Sequence, residues 1–320
     1  MDNDKLSSKT AGKPIRCRAA VSRQPGEPLV IEEITVAPPG AYEVRIRIIC
    51  TSLCHSDIIV WKSKVPPACF PRILGHEAIG VVESVGENVE EYVVDVAHAV
   101  KIDPAIPPNR ACLLSCGVST GVGAAWRTAN VEAGSTVAIF GLGSIGLAVA
   151  EGARLCGATR IIGVDLNPEK FEIGQRFGVT EFVDSSSCGD KSVSQVINEM
   201  TGGGADYCFE SVGLSSLVQE AYASCRKGWG KTIVLGVDRP EAQLNFNSLE
   251  VLHSGKTITG SLFGGLKAKS DIPILLKRYI DKELHLDEFV THEVKFEDIN
   301  KAFNLLIEGK CIRCVIWMDK

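Results

Sequence analysis

Three residues in the first third of the chain carry side chains suited to metal chemistry. They are Cys54 in Thr51-Ser52-Leu53-Cys54-His55-Ser56-Asp57, His76 in Leu74-Gly75-His76-Glu77 and Cys116 in Leu114-Ser115-Cys116-Gly117. Two thiolates and one imidazole form a soft donor set that suits Zn²⁺. Three protein ligands leave the fourth tetrahedral position to water or substrate, the mark of a catalytic rather than a structural site. The three lie far apart in sequence, so a fold must assemble them. Taken singly, the cysteines read as core thiols and His76 as a turn histidine.

A second chemistry lies downstream. Gly141-Leu142-Gly143-Ser144-Ile145-Gly146 follows the apolar run Thr136 to Phe140, a strand, and opens Leu147 to Cys156, a helix. Gly141, Gly143 and Gly146 permit a tight turn and a close backbone approach. The N–H groups of Ser144 and Ile145, at the start of the helix, then meet the charge of a pyrophosphate. A second strand, Arg160 to Val164, ends in Asp165, about 20 residues beyond the glycines, where an acid holds a ribose 2′-hydroxyl and repels a 2′-phosphate. NAD is therefore expected rather than NADP. The plainer reading makes Asp165 a cap of the next turn.

Around these sites the hydrophobic period changes twice. From about residue 16 to 100, short β-rich runs alternate with turn signals: Leu29 to Val36, Glu43 to Cys50 and Ala78 to Val85, an antiparallel β region. From about residue 117 to 261, strands (136–140, 160–164, 181–183, 207–211, 232–237) alternate with helices (147–156, 170–177, 193–200, 217–225), which implies a parallel sheet covered on both faces. Helices over Ile272 to Ile280 and Phe296 to Ile307 and a strand over Cys311 to Trp317 follow. The pattern is that of one domain inserted into another.

A formal net charge of -5 offers no field for nucleic acid or an anionic membrane. Met1 to Lys13 is polar, with no apolar core for a signal peptide, and no run approaches the roughly 18 apolar residues of a membrane span. A cytosolic protein with a frayed N-terminus is expected. Twelve cysteines do not form the dense framework of a small secreted domain, so they should be reduced thiols. Cys156, Cys208 and Cys225 read as buried hydrophobes. Cys311 and Cys314 form a C-x-x-C that, on a strand, sends its thiols to opposite faces, against metal or redox chemistry.

The strings T-S-L-C-H-S-D, R-I-L-G-H-E, L-L-S-C-G-V-S-T-G, G-L-G-S-I-G and G-S-L-F-G-G-L-K resemble those of the zinc-dependent medium-chain alcohol dehydrogenases, plant alcohol dehydrogenase-like proteins especially, from about Cys17 to Trp317. The resemblance implies an α/β fold: a GroES-like β catalytic domain, residues 1–116 and 263–320, around an inserted doubly wound Rossmann domain, residues 117–262. It implies catalytic zinc on Cys54, His76 and Cys116, with Ser56 relaying the alcohol proton. Asp57 would accept from the ring of His76, and Glu77 would stand beside the metal. His55 and Arg313 would face the cofactor pyrophosphate and Lys170 the adenosine ribose. A homodimer through the Rossmann sheets, with Gly255 to Gly260 at the edge, is implied as well.

Two departures from the family matter. Between Gly86-Glu87-Asn88-Val89-Glu90-Glu91 and Tyr92-Val93-Val94-Asp95, relatives carry several tens of further residues, including the four-cysteine lobe for a structural zinc. One catalytic Zn²⁺ per chain and no structural Zn²⁺ are expected, and the β domain would expose an unpaired edge. Five residues after Cys54, where some relatives have a histidine ending the proton relay, stands Ile59; the proton would leave Ser56 by the cofactor ribose or water. The expected reaction is hydride transfer from a primary or secondary alcohol to NAD, giving aldehyde or ketone. An NAD-binding but catalytically impaired product, and an enzyme acting on S-(hydroxymethyl)glutathione, stand as alternatives.

Overall fold

The computed structural model describes residues 10, 12–63, 69–86 and 99–318. Most of the stretch before Lys13, and the join between Gly86 and Asp95, lie outside the described residues. Contacts divide the chain into one unit of residues 1–115, 267–281 and 286–320 and a second of residues 116–266 and 282–285.

In chain order the first unit supplies β1 (Ile15–Ser22), β2 (Val30–Val36), β3 (Val44–Ser52), α1 (His55–Lys62), β4 (Arg72–Ile73), β5 (Glu77–Val85) and α2 (Pro108–Ala111). The second supplies α3 (Gly117–Gly123), β6 (Thr136–Phe140), α4 (Ser144–Leu155), β7 (Arg160–Asp165), α5 (Phe171–Arg176), β8 (Glu181–Asp184), α6 (Val193–Thr201), β9 (Tyr207–Glu210), α7 (Ser215–Ser224), β10 (Lys231–Val234), α8 (Ser248–Ser254) and β11 (Thr257–Gly260). The first unit then resumes with α9 (Ala268–Ile280), β12 (Val290–Lys295), α10 (Ile299–Ile307) and β13 (Arg313–Trp317).

In the second unit six parallel strands run in the order β11-β10-β9-β6-β7-β8, a doubly wound sheet whose order reverses between β6 and β9. Every residue of β6 and β9 is buried. That is why these strands read as continuous apolar runs rather than as alternation. Ala138, Phe140, Ile162, Val164, Ile197 and Ala221 form the core on one side. Segment 282–285 belongs here because the buried Glu151 accepts from the N–H of His285 (2.8 Å), and Arg154, paired with the same carboxylate, donates to the carbonyl of Glu283 (2.5 Å).

The first unit is built of smaller sheets. β2-β1-β4 is antiparallel; β12-β13-β3-β5 is antiparallel except for the parallel pair β12–β13. Ile299, Ala302, Phe303 and Leu306, one face of α10 at helical spacing, pack with Leu53, Ile58 and Ile316 into its core. Full burial of a side chain such as Phe303 contributes about 1.5–3 kcal/mol. Among the described residues β5 is an edge strand, with Val81 and Val85 exposed.

The C-x-x-C expectation needs correction. β13 begins at Arg313, so Cys311 precedes the strand and escapes its two-residue alternation; Cys311 and Cys314 both pack on the α10 core. Burial pushes Cys314 up to about 12 and Cys311 up to about 11, which keeps both thiols protonated and unreactive near neutral pH.

Candidate metal centre and dinucleotide turn

Strand register brings the metal-binding residues together. Ser52 of β3 pairs with Glu77 of β5 on one side and Val315 of β13 on the other. Cys54 therefore leaves β3 two residues past the point at which His76 enters β5. Leu53 and Ile58, both buried in the core, anchor the turn on either side of Cys54. Thr51 Oγ1 donates to the carbonyl of Glu77 at 2.8 Å and fastens the two strands at that point. Cys116 follows Ser115, the last residue of this unit, directly in the chain. Donor atoms of Cys54, His76, Glu77 and Cys116 all lie within 4.8 Å of one another. Two sulfurs bound at 2.3 Å to a tetrahedral zinc are about 3.8 Å apart, so this donor set fits the ion.

Asp57 holds the cluster in shape. It is buried; its Oδ2 accepts the Cys54 N–H at 3.1 Å, while Oδ1 accepts from Gly75 N–H at 3.2 Å and lies 3.0 Å from His76 Nδ1. One carboxylate thus fixes both ligand-bearing turns and, through Nδ1, leaves His76 Nε2 as the coordinating atom. The hydrogen bonds to Asp57 and to Cys54 push His76 up to about 10, so this spot favours a positive charge. Ser56 Oγ lies 3.7 Å from Cys54 Sγ, and His55, the first residue of α1, is exposed. Ile59 is 46% exposed on the same helix.

Arg313 was expected from the resemblance to meet the cofactor; in the structure its guanidinium is 1% exposed, 3.4 Å from Glu77 Oε1 and 4.0 Å from Cys54 Sγ. Burial pushes Glu77 up to about 7, with Arg313 pulling the other way. Sequence reading missed this pair because it depends on β13 and β5 flanking β3 across the chain. The link from Asp57 to the Cys54 N–H belongs to a capping box at the start of α1.

In the second unit each glycine of the turn does different work. Gly141 has φ +95°, which disfavours any side chain. A Cβ on Gly146 would lie 1.8 Å from the Gly141 carbonyl oxygen, so the helix can approach the strand only without one. A Cβ on Gly143 would meet nothing within 4 Å: the space there is open to an approaching group. Ser144 and Ile145 begin α4 behind it. Asp165 accepts the Leu142 N–H at 2.8 Å and the Asn167 N–H at 2.9 Å, and Lys170 Nζ lies 3.0 Å from it. The acid therefore caps its own turn and stands beside the glycines at once. The open backbone and the acid fit a dinucleotide.

A chain that carries a doubly wound dinucleotide fold, a β unit, and two cysteines and a histidine in reach of one ion has the features of a zinc-binding dehydrogenase. Residues 40–141 match the alcohol dehydrogenase GroES-like domain and residues 144–281 the zinc-binding dehydrogenase domain. The chain belongs to the zinc-dependent medium-chain alcohol dehydrogenase family, and is an oxidoreductase by that membership. Alcohol dehydrogenase-like 7 of Arabidopsis thaliana is 61% identical, covering 99% of this chain and 100% of its own length. Alcohol dehydrogenase class-3 of Oryza sativa subsp. japonica is 41% identical, covering 98% and 100%. The alcohol dehydrogenase zinc-binding domain protein of Burkholderia ambifaria superposes with a TM-score of 0.90 at 26% identity, covering 96% and 100%. The Arabidopsis alignment spans 389 positions against 320 residues here, so at least 69 of them carry no residue of this chain.

Proposed function

We propose that this protein is an NAD-dependent alcohol dehydrogenase with one catalytic zinc per chain and no structural zinc, converting a primary or secondary alcohol to aldehyde or ketone. The observation that carries the reading is the cluster of Cys54, His76 and Cys116 with Glu77 at donor distance. Bound zinc supplies a Lewis acid that eases loss of an alcohol proton, and bound nicotinamide supplies the hydride acceptor. The chain's own residues do the rest. Asp57 orients His76, and Ser56, half-buried beside Cys54, takes up the hydroxyl proton; with Ile59 in place of a further acceptor, the proton leaves by cofactor ribose or water. Asp165 discriminates ribose from its 2′-phosphate, with Lys170 at its side. His55, exposed at the start of α1, offers positive charge for the pyrophosphate, while Arg313 stays buried against Glu77.

A homodimer through the second unit belongs to the same proposal. Among the described residues β11 is an edge strand; Ile258 on it is 37% exposed, and Leu252 and Leu262, before and after it in the chain, are 75% and 93% exposed. A cytosolic site is supported by twelve cysteines that are all free thiols. Among the described residues, no helix is long and apolar enough to cross a membrane.

The test is alcohol-dependent reduction of NAD, before and after chelation and with zinc restored. Chelator-sensitive turnover supports the reading. A folded chain that binds NADH without turnover would favour the second one, a cofactor-binding protein with an impaired catalytic unit, motivated by the alignment positions with no counterpart here. Running short alcohols beside S-(hydroxymethyl)glutathione separates the two enzyme classes.

A further inference from the structure

Ligands of open α/β sheets settle outside the carboxyl ends of the strands where the strand order reverses. Here that point lies between β6, which runs into the glycine turn, and β9, which ends in Glu210. Glu210 is a fully buried carboxyl group. Its Oε1 accepts the N–H groups of Val212 (2.9 Å), Gly213 (2.7 Å) and Leu214 (3.5 Å), while Oε2 is buried with no hydrogen-bond partner among the described residues. A buried acid is costly where an apolar residue would fill the same space, so its presence calls for a reason beyond packing.

The loop that Glu210 gathers is fastened to the glycine turn. Ser211 Oγ lies 2.8 Å from the carbonyl oxygen of Phe140 and 2.9 Å from that of Gly141. A Cβ on Gly141 would lie 2.5 Å from Val212 Cγ2, so the valine packs directly on the glycine. Val212 and Leu214 are nevertheless about half exposed, apolar groups held open beside the turn. We infer that Glu210 and Ser211 are positioning residues for the dinucleotide: Glu210 sets the shape of loop 212–214, and Ser211 locks that loop to the first glycine of the turn. The inference rests on the NAD reading above.

The test is NADH fluorescence titration of the full-length chain and of Glu210→Gln and Ser211→Ala, well below each variant's melting temperature. A neutral acceptor makes weaker hydrogen bonds to the amides than a carboxylate, and Glu210→Gln should raise the NADH Kd about tenfold, about 1.4 kcal/mol. Ser211→Ala, which removes no charge, should raise it about threefold; zinc per chain should stay at the wild-type level in both. If the variants melt earlier but bind NADH as the wild type does, the two residues are only structural and the inference falls. Failure of the wild type itself to bind NADH overturns the NAD reading and this inference together. If Glu210→Gln does not fold, Ser211→Ala decides.

Discussion

The two units solve the burial problem differently. The dinucleotide unit encloses its sheet on both faces, and β6 and β9 expose no residue. The metal-bearing unit spreads its strands over two smaller sheets, and among the described residues β5 stands at an edge with Val81 and Val85 uncovered. One unit takes its shape from a continuous apolar core. The other adds to its core under α10 a few polar ties around the metal-binding turns: Asp57 between them, Arg313 against Glu77, and Thr51 across β3 and β5. Damage to the metal-bearing unit should therefore be local and chemical, and the dinucleotide unit should survive it.

Cys54→Ala should abolish zinc binding and turnover while NADH binding persists. Loss of both together, read by metal analysis and NADH fluorescence, would break the separation between the units. Arg313→Met leaves Glu77 buried without its cation, and breaking a buried pair costs about 3–5 kcal/mol, seen as a lower denaturant midpoint. An unchanged midpoint would show that the pair does not hold this unit. Asp57→Ala should weaken zinc affinity about 10- to 100-fold with little change in NADH Kd. Asp165→Ala should do the reverse, raising the NAD Kd about tenfold at constant zinc content, and should narrow the preference over NADP. Val81→Lys on the edge strand should shift stability by less than about 0.5 kcal/mol, yet slow aggregation on heating, measured by light scattering.

The inserted dinucleotide fold was plain in the sequence because buried parallel strands are short apolar runs punctuated by glycine, and because the turn, helix, second strand and acid sit within one βαβ unit. The thiolate and imidazole donors were legible as residue types, but their convergence was not, since it follows from β13, β3 and β5 lying side by side. The role of Asp57 came from the family resemblance alone, and the burial of Arg313 was not foreseen at all. Helix α1 escaped notice because its sequence, His55 to Lys62, is too short and mixed to show a helical period. Cys311 was misplaced because strand boundaries are blurred by a residue or two and a period-two argument inverts with each.

The pairing of Arg313 with Glu77 and its approach to Cys54 also sets a timetable for biosynthesis. Arg313 lies 259 residues after Cys54, and at about 5–20 residues per second the ribosome needs roughly 13–50 s to make the intervening chain. The inserted unit, residues 116–266, is synthesised within that interval and holds its own core. β3 is made early but lacks its neighbour β13 until the chain has grown to Trp317. Two strands that lie side by side in the fold, β3 and β13, are thus among the most widely separated in the time of their synthesis.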